Sequence, residues 1–581
     1  MKQEIFQNFR GLNRTSDRLN SPPDFCYDIL NGYVKKDVKS NQGVIQQRDG
    51  IAKFNSVVLN ADDYGILVDS GTCDTNTANH LIQAGQNFIT TVKVGMAVKN
   101  TTDGTYGYVT AVNSNTDLTL ATDLCPDGDE AYEIYTLKVR LIFETKWAGL
   151  STDIIIRAGS AWGKFDGTNT FNSILTGRAE DALGQCAMFK DELIMVDGGI
   201  PQKMTAGYVV SALSADADMP QDSDAVWVHR DKVWLNSQAA PMTAYFCTTN
   251  SANGAASWSG ATDAGTIDLS TVLPVGDRIR GFRTYGGADS GMIAIICDKY
   301  TVIYVAGANV YTFSLLQYFL TTCLSINSLA YMGNDIVYPS RDNFTSLIAS
   351  VSNNQLEVKP LSNYIVNLWR ELVRLTSTDT DYISGVFSHK LNHYYITFPI
   401  SGNYQTLVYS ADIGNFVGRW TYPYELYSWA ERNSGVILAG GDGFVYTMNT
   451  GTTDDSTAIS FKMAMPALYF GDAVNYKKPV ELEALVQAST TLDLNIDYWY
   501  GLSTLVSDKT TKTITITSSA SLWDVALWDV SYWDTQGNAL VKTSDLMGRG
   551  KLMFIEFRQS TSGSQVTIFW FRIGYQKEGT N

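Results

Sequence analysis

Four histidines, His80, His229, His389 and His393, are the chain's whole stock of imidazoles. His389 and His393 stand four apart, a spacing that pairs metal ligands on a helix. However, His393 opens the alternating run His393-Tyr394-Tyr395-Ile396-Thr397-Phe398, which reads as a strand. No third ligand lies nearby in sequence, and a zinc site needs three or four. The nucleophile elbow G-x-S-x-G, the phosphate loop G-x-x-x-x-G-K-[ST] and the metalloprotease motif H-E-x-x-H do not occur. Of 59 carboxylates, the adjacent pairs Asp62-Asp63 and Asp454-Asp455 fall in stretches that read as solvated turns. A glycosidase pair is defined in space and not along the chain, so nothing selects two carboxylates among the 59. No catalytic, cofactor-binding or metal-ligating residue is therefore assigned, and the chain is not expected to be an enzyme.

The most unusual local pattern is Trp523-Asp524, Trp528-Asp529 and Trp533-Asp534, three Trp-Asp pairs at a period of five. That period matches neither strand nor helix. One reading is a platform that stacks sugar rings or bases; the plainer one is tryptophans packed under an irregular loop with aspartates completing turns. The basic patches are short: Lys35-Lys36, Lys477-Lys478 and Arg278 to Arg283. Lysines at strand edges commonly serve to block edge pairing, and none of these patches is interleaved with aromatics as a nucleic-acid groove would be.

The elements that would position any such groups are strands. The chain has 581 residues, 45% hydrophobic, 12% aromatic and 18% charged, enough for several packed domains and too apolar for wholesale disorder. A polar turn followed by a β-branched or aromatic run recurs at Asp191, Asp231, Asp298, Asp335, Asn392 and Asp442. A loose period of about 40–50 residues is that of a four-stranded propeller blade. The expected fold class is all-β. It has a central β-propeller of six or seven blades over 138–452, without a named blade signature. Residues 1–61 read as an N-terminal arm leading into the β body. Residues 62–137 read as a small inserted β-sandwich or barrel, with strands near Asn87–Val94, Met96–Lys99, Gly107–Val112 and Leu118–Leu120. Residues 453–581 read as a C-terminal β-sandwich-like domain, reached through the linker-like run Thr452 to Ser456. One helix stands out: Ile365, Leu368, Trp369, Leu372 and Val373 keep amphipathic spacing, with Ser362 or Asn363 available as a cap.

The formal net charge is −16, which argues against a tight grip on nucleic acid without excluding a surface past which it slides. The start, Met1 to Phe6, has no apolar stretch like a secretory signal, and no run approaches the roughly 20 residues of a membrane helix. A soluble protein made in a cytoplasm is expected. Seven dispersed cysteines with no C-x-x-C read as reduced core thiols.

Several stretches resemble the tail hub or nozzle proteins of short-tailed bacteriophages, also described as tail tubular or DNA-stabilisation proteins. Phe9-Arg10-Gly11-Leu12-Asn13, Ser21-Pro22-Pro23 and Arg48-Asp49-Gly50 are similar to that family's N-terminal arm, although its usual R-P-G keeps only its outer residues here. Ile279 to Phe282, Tyr300 to Tyr304 with Ala306-Gly307, and Cys323 to Ser328 resemble its propeller core. Val408 to Ser410, Gly418-Arg419-Trp420 and Ala439 to Tyr446 resemble its closing blades. The resemblance implies a virion tail protein assembled in the host cytoplasm as a homo-oligomeric ring, usually a hexamer. That ring would meet the tail adaptor on the portal side, carry fibres or spikes, help retain the genome, and touch double-stranded DNA transiently during ejection. It assigns no gate residue. The alternative is a carbohydrate-binding or receptor-binding propeller, or a glycan-degrading enzyme.

Overall fold

Alternating apolar residues build antiparallel meanders, and the computed structural model is all-β almost throughout. It describes residues 2–578 apart from 16, 38–39, 150–151, 255, 259–262, 275, 287–290, 308–311, 349–356, 377–381, 401–403, 502–508, 517–537 and 545. The Trp-Asp repeat at 523–534 lies outside the described residues.

From residue 139 to 448, seven four-stranded antiparallel units follow one another in chain order. The first is Val139–Lys146, Thr152–Ala158, Ala161–Phe165 and Phe171–Leu175. The next four open with Gln185–Phe189, Val226–His229, Ile279–Tyr285 and Ala330–Met332. The sixth opens with Ser384–Ser388. The seventh has only Ser428–Glu431, Ile437–Gly440 and Val445–Met448 from this region. Its fourth strand is Ile51–Lys53, antiparallel to Val445–Met448 with Met448 opposite Ile51. The opening strands pack in sequence, except that Ile279–Tyr285 of the fourth unit meets Asp335–Pro339, the second strand of the fifth; that of the seventh unit returns to that of the first. Ser428 Oγ donates to the Val139 carbonyl at 2.7 Å across this joint. The series of sheets is thus a closed ring.

Each sheet buries both faces, which is why its inner strands read as continuous apolar runs. In Glu192–Val196, Leu193 and Met195 pack toward Trp162 of the first sheet, while Ile194 and Val196 pack toward Val233 and Leu235 of the third. In Met292–Cys297, Ile293 and Ile295 meet Trp234, while Ala294 and Ile296 meet Ile336 and Tyr338. Period-two alternation therefore serves two sheet-to-sheet cores at once. The aspartate repeat follows the hairpins with a slip. Asp191, Asp231, Asp335 and Asn392 turn the chain between first and second strands, but Asp298 and Asp442 lie between second and third.

The inserted unit is a six-stranded β unit running from Ile66–Thr72 to Ala131–Thr136, with its own core around Leu81, Phe88, Val98 and Ile134. Two expectations are corrected here. Phe88–Thr91 is a short helix and not a strand. Cys73 and Cys125 form a disulfide, so the thiols are not all reduced; the other five are free. The helix Val366–Leu375 buries Leu368, Trp369, Leu372 and Val373 as the spacing predicts. Neither Ser362 nor Asn363 caps it through its side chain; Ser362 Oγ instead accepts the Phe344 N–H at 3.0 Å.

Residues from both ends of the chain share sheets. Lys2–Gln7 and Gly43–Gln47 both pair with Val566–Lys577, and Asp28–Leu30 bridges Asn415–Thr421 to Phe461–Ala464. The run at 452–456 is no solvated linker. Thr453–Asp454 is a strand beside Ile51, and Asp454 is buried against Arg48. Lys477 is likewise no surface blocker: it is buried, its Nζ donates to the Lys551 carbonyl at 3.2 Å, and burial lowers its pKa.

Candidate binding cavity at the ring centre

Because seven opening strands must meet around one axis, they leave a central cavity of about 380 Å³. All seven sheets contribute to its wall, among them Arg140, Gln185, Trp227, Arg283, Tyr331, Phe387 and Glu431. The wall is mixed: aromatic faces alternate with a few polar groups.

Arg140 is almost wholly buried, and its Nε donates to Asp181 Oδ1 at 2.6 Å while Nη2 donates to the other carboxylate oxygen. Burial pulls its pKa down, but the Asp181 pair outweighs that and holds it above the ordinary guanidinium value. Its guanidinium lies 3.8 Å from the Tyr382 ring centroid and 4.9 Å from that of Tyr427. Arg283 is placed differently. It sits 4.5 Å over the Trp227 ring, donates from Nη1 to the Phe282 carbonyl at 2.8 Å, and makes no ion pair among the described residues. Burial lowers its pKa.

Glu431 stands at the rim. Its carboxylate accepts from Ser388 Oγ at 2.9 Å, His389 Nδ1 at 2.8 Å and the backbone N–H groups of His389 and Lys390. Burial alone would raise this carboxyl, yet these donors hold it below its ordinary value. Among the described residues, three buried polar atoms of wall residues have no hydrogen-bond partner: Arg140 Nη1, Gln185 Nε2 and Asn327 Nδ2.

The histidines do not converge. His389 is exposed beside Glu431, whereas His393 is buried edge-on to Tyr33, and burial pushes its pKa down to about 4. His229 is likewise pushed to about 4 by burial, its Nδ1 3.1 Å from Thr284 Oγ1. His80 contacts Asp117 in the inserted unit. Among the described residues, no three His, Cys, Asp or Glu side chains are grouped to hold a metal ion. Among them, too, no helix is long and apolar enough to cross a membrane.

The basic run Arg278 to Arg283 divides by strand alternation and a local bulge. Arg278 pairs with Asp224 and Arg280 with Asp298, both outside the cavity wall, while Arg283 alone enters it. Gln185, Asn327 and Arg140 carried no signal in the sequence, since only ring closure brings them together.

No family model and no curated protein matches the sequence. Among solved structures, the extracellular domain of the hybrid two-component system BT4673 from B. thetaiotaomicron aligns at 10% identity and TM-score 0.35, over 59% of this chain and 44% of that one. The chain thus spans less than half the length of that neighbour. BBS1N, from its complex with ARL6DN, aligns at 9% identity and TM-score 0.35, over 55% of this chain and 93% of that one. The computationally designed Ika8 protein aligns at 11% identity and TM-score 0.30, over 54% and 96%. At such scores these likenesses carry no argument about what this chain does.

Proposed function

We propose that this protein is a structural component of a short-tailed phage virion, the tail hub or nozzle, built on a seven-bladed β-propeller. It assembles with copies of itself into a ring around the DNA channel, docks to the tail adaptor and to fibres or spikes, retains the genome and passes it during ejection. One observation favours an assembling protein over a solitary one. The fourth unit ends in Phe313–Leu320, an uncharged eight-residue strand with Leu315, Leu316, Tyr318 and Leu320 exposed. Among the described residues its outer edge pairs with no strand. A long apolar edge of this kind invites pairing or aggregation unless a partner covers it. The motifs that resemble the family at Arg48 to Gly50 also occupy a structural joint. Arg48 pairs with Asp454, and a Cβ at Gly50 would meet the Thr453 carbonyl at 1.9 Å.

The excess of acids supports a channel that repels the phosphate backbone and lets DNA slide, with retention left to a steric constriction. Electron microscopy and native mass spectrometry test the assembly directly. A ring with a through-channel is expected, dissolved by Leu316→Lys with Leu320→Lys while the fold persists; a monomer at micromolar concentration overturns the reading. Tight duplex binding with a steep salt dependence would refute the repelling wall.

A further inference from the structure

We infer that the central cavity binds a monocarboxylate of monosaccharide size, of the sugar-acid class. The wall has an unbalanced set of hydrogen-bonding groups. Arg140 commits Nε and Nη2 to Asp181 and leaves Nη1 unpartnered, with the residue 1% exposed. Gln185, 8% exposed, accepts the Val226 N–H through Oε1 and leaves Nε2 without an acceptor. Asn327 Nδ2 is likewise without one. Arg283 adds a guanidinium with one backbone acceptor and no counter-ion among the described residues. Among the described residues, the three buried wall atoms left without a partner are all donors, in a chain with 59 acids and 43 bases. Buried polar groups in folded proteins are almost always satisfied, so a shared gap of one polarity calls for an acceptor-rich occupant.

Charge narrows the class. Asp181 is the ion-pair partner of Arg140 and is shared with Lys138, and Glu431 is already negative. Arg283 is the wall guanidinium with no ion pair among the described residues, and beside the negative Glu431 it fits a single negative charge better than a phosphate dianion. A planar guanidinium also matches a carboxylate in a two-point fork. The volume, about 380 Å³, lies at the small end of ligand cavities. The aromatic residues Trp227 and Tyr331 in the wall suit contact with a pyranose. This inference stands on the cavity alone and does not depend on assembly into a ring.

Calorimetry on the full chain with D-glucuronate, D-glucose and orthophosphate tests it. Glucuronate is expected to bind with Kd of about 1 mM or tighter. Glucose should bind at least about tenfold weaker, as it lacks the charge-assisted bonds. Arg283→Met should weaken glucuronate about 10- to 100-fold, well beyond its effect on glucose, with Arg283→Lys between. Asn327→Leu is a second variant, because Nδ2 has no internal partner to lose; saturation-transfer NMR on the unaltered chain needs no variant at all. Failure of glucuronate to bind overturns the proposal, as would phosphate binding more tightly or glucuronate affinity indifferent to Arg283.

Discussion

Replacing Arg48 by Met should loosen the junction at which three parts of the chain meet. The guanidinium is fully buried, with Nη1 and Nη2 both donating to the Asp454 carboxylate, the former at 2.7 Å. Nε donates to Asn31 Oδ1 at 3.2 Å, and the remaining hydrogens reach the Asp49 and Thr421 carbonyls at 3.0 and 2.7 Å. All five donors are therefore used, and the Tyr422 ring lies 4.4 Å from the charge. Met keeps much of the aliphatic stem but leaves Asp454 buried without its counter-charge, which costs about 3–5 kcal/mol when one partner of such a pair is removed. Asp454→Asn should cost less, because an amide oxygen can still accept from the guanidinium. In a double-mutant cycle the two changes should couple by about 2–4 kcal/mol. A chain with several cores need not unfold in one step, so urea unfolding by tryptophan fluorescence should be joined to amide exchange at residues 51–53 and 453–458. If Arg48→Met costs under about 1 kcal/mol, or the coupling is near zero, the pair does not hold the junction and the reasoning fails.

Two further outcomes are expected. Asp442, buried between the inserted unit and the seventh sheet, accepts from Thr136 Oγ1 and the Leu137 N–H, and burial raises its pKa to about 6. The folded state thus holds this proton more tightly than the unfolded one. The contribution of Asp442 to stability is fullest below about pH 4 and declines as pH rises through 6, by at most about 3 kcal/mol; subtracting the Asp442→Asn profile from that of the unaltered chain should isolate that decline, and a difference that grows with pH would contradict it. Opening the disulfide with Cys73→Ser and Cys125→Ser releases a cross-link spanning 52 positions, worth about 4 kcal/mol in the chain-entropy treatment. Amide exchange should quicken across 66–136 and stay unchanged in the seven sheets, which have separate cores; a loss spread through the ring would contradict it.

The strand-rich character was legible because two-faced burial leaves whole strands apolar, as in Ile293 to Cys297. The helix at 366–375 was legible because its stripe, Leu368 to Val373, is a single-face pattern. The hairpin repeat was visible but uneven. A polar turn can mark either of two hairpins in a four-stranded sheet, and Asp298 and Asp442 mark the later one. Pairings between distant residues were hidden: nothing near Asp454 points to Arg48, and nothing in two of seven scattered cysteines singles out Cys73 and Cys125. Asn87 to Val94 misled because its β-branched residues suit a strand, whereas a four-residue helix is decided by the loop it must turn. Of the cavity, Arg283 belonged to a visible basic cluster, but its separation from Arg278 and Arg280 required the sheet.

The strand that completes the seventh sheet is made long before the rest of it. Ile51–Lys53 leaves the ribosome first, and its partner Val445–Met448 follows nearly four hundred residues later. At about 5–20 residues per second, that interval is roughly 20–80 s. During it the first sheet, once made, and later the sixth each have one flank bare, and the early strand has no Val445–Met448 to pair with. Closing the circle therefore waits for the strand Val445–Met448. A chain broken off before residue 445 would keep its apolar flanks exposed to quality control. The same late step delays completion of the central cavity, whose wall draws on Ser428 and Glu431 as well as on Arg140. Whatever this molecule engages through that wall, it can engage only after synthesis has passed Glu431.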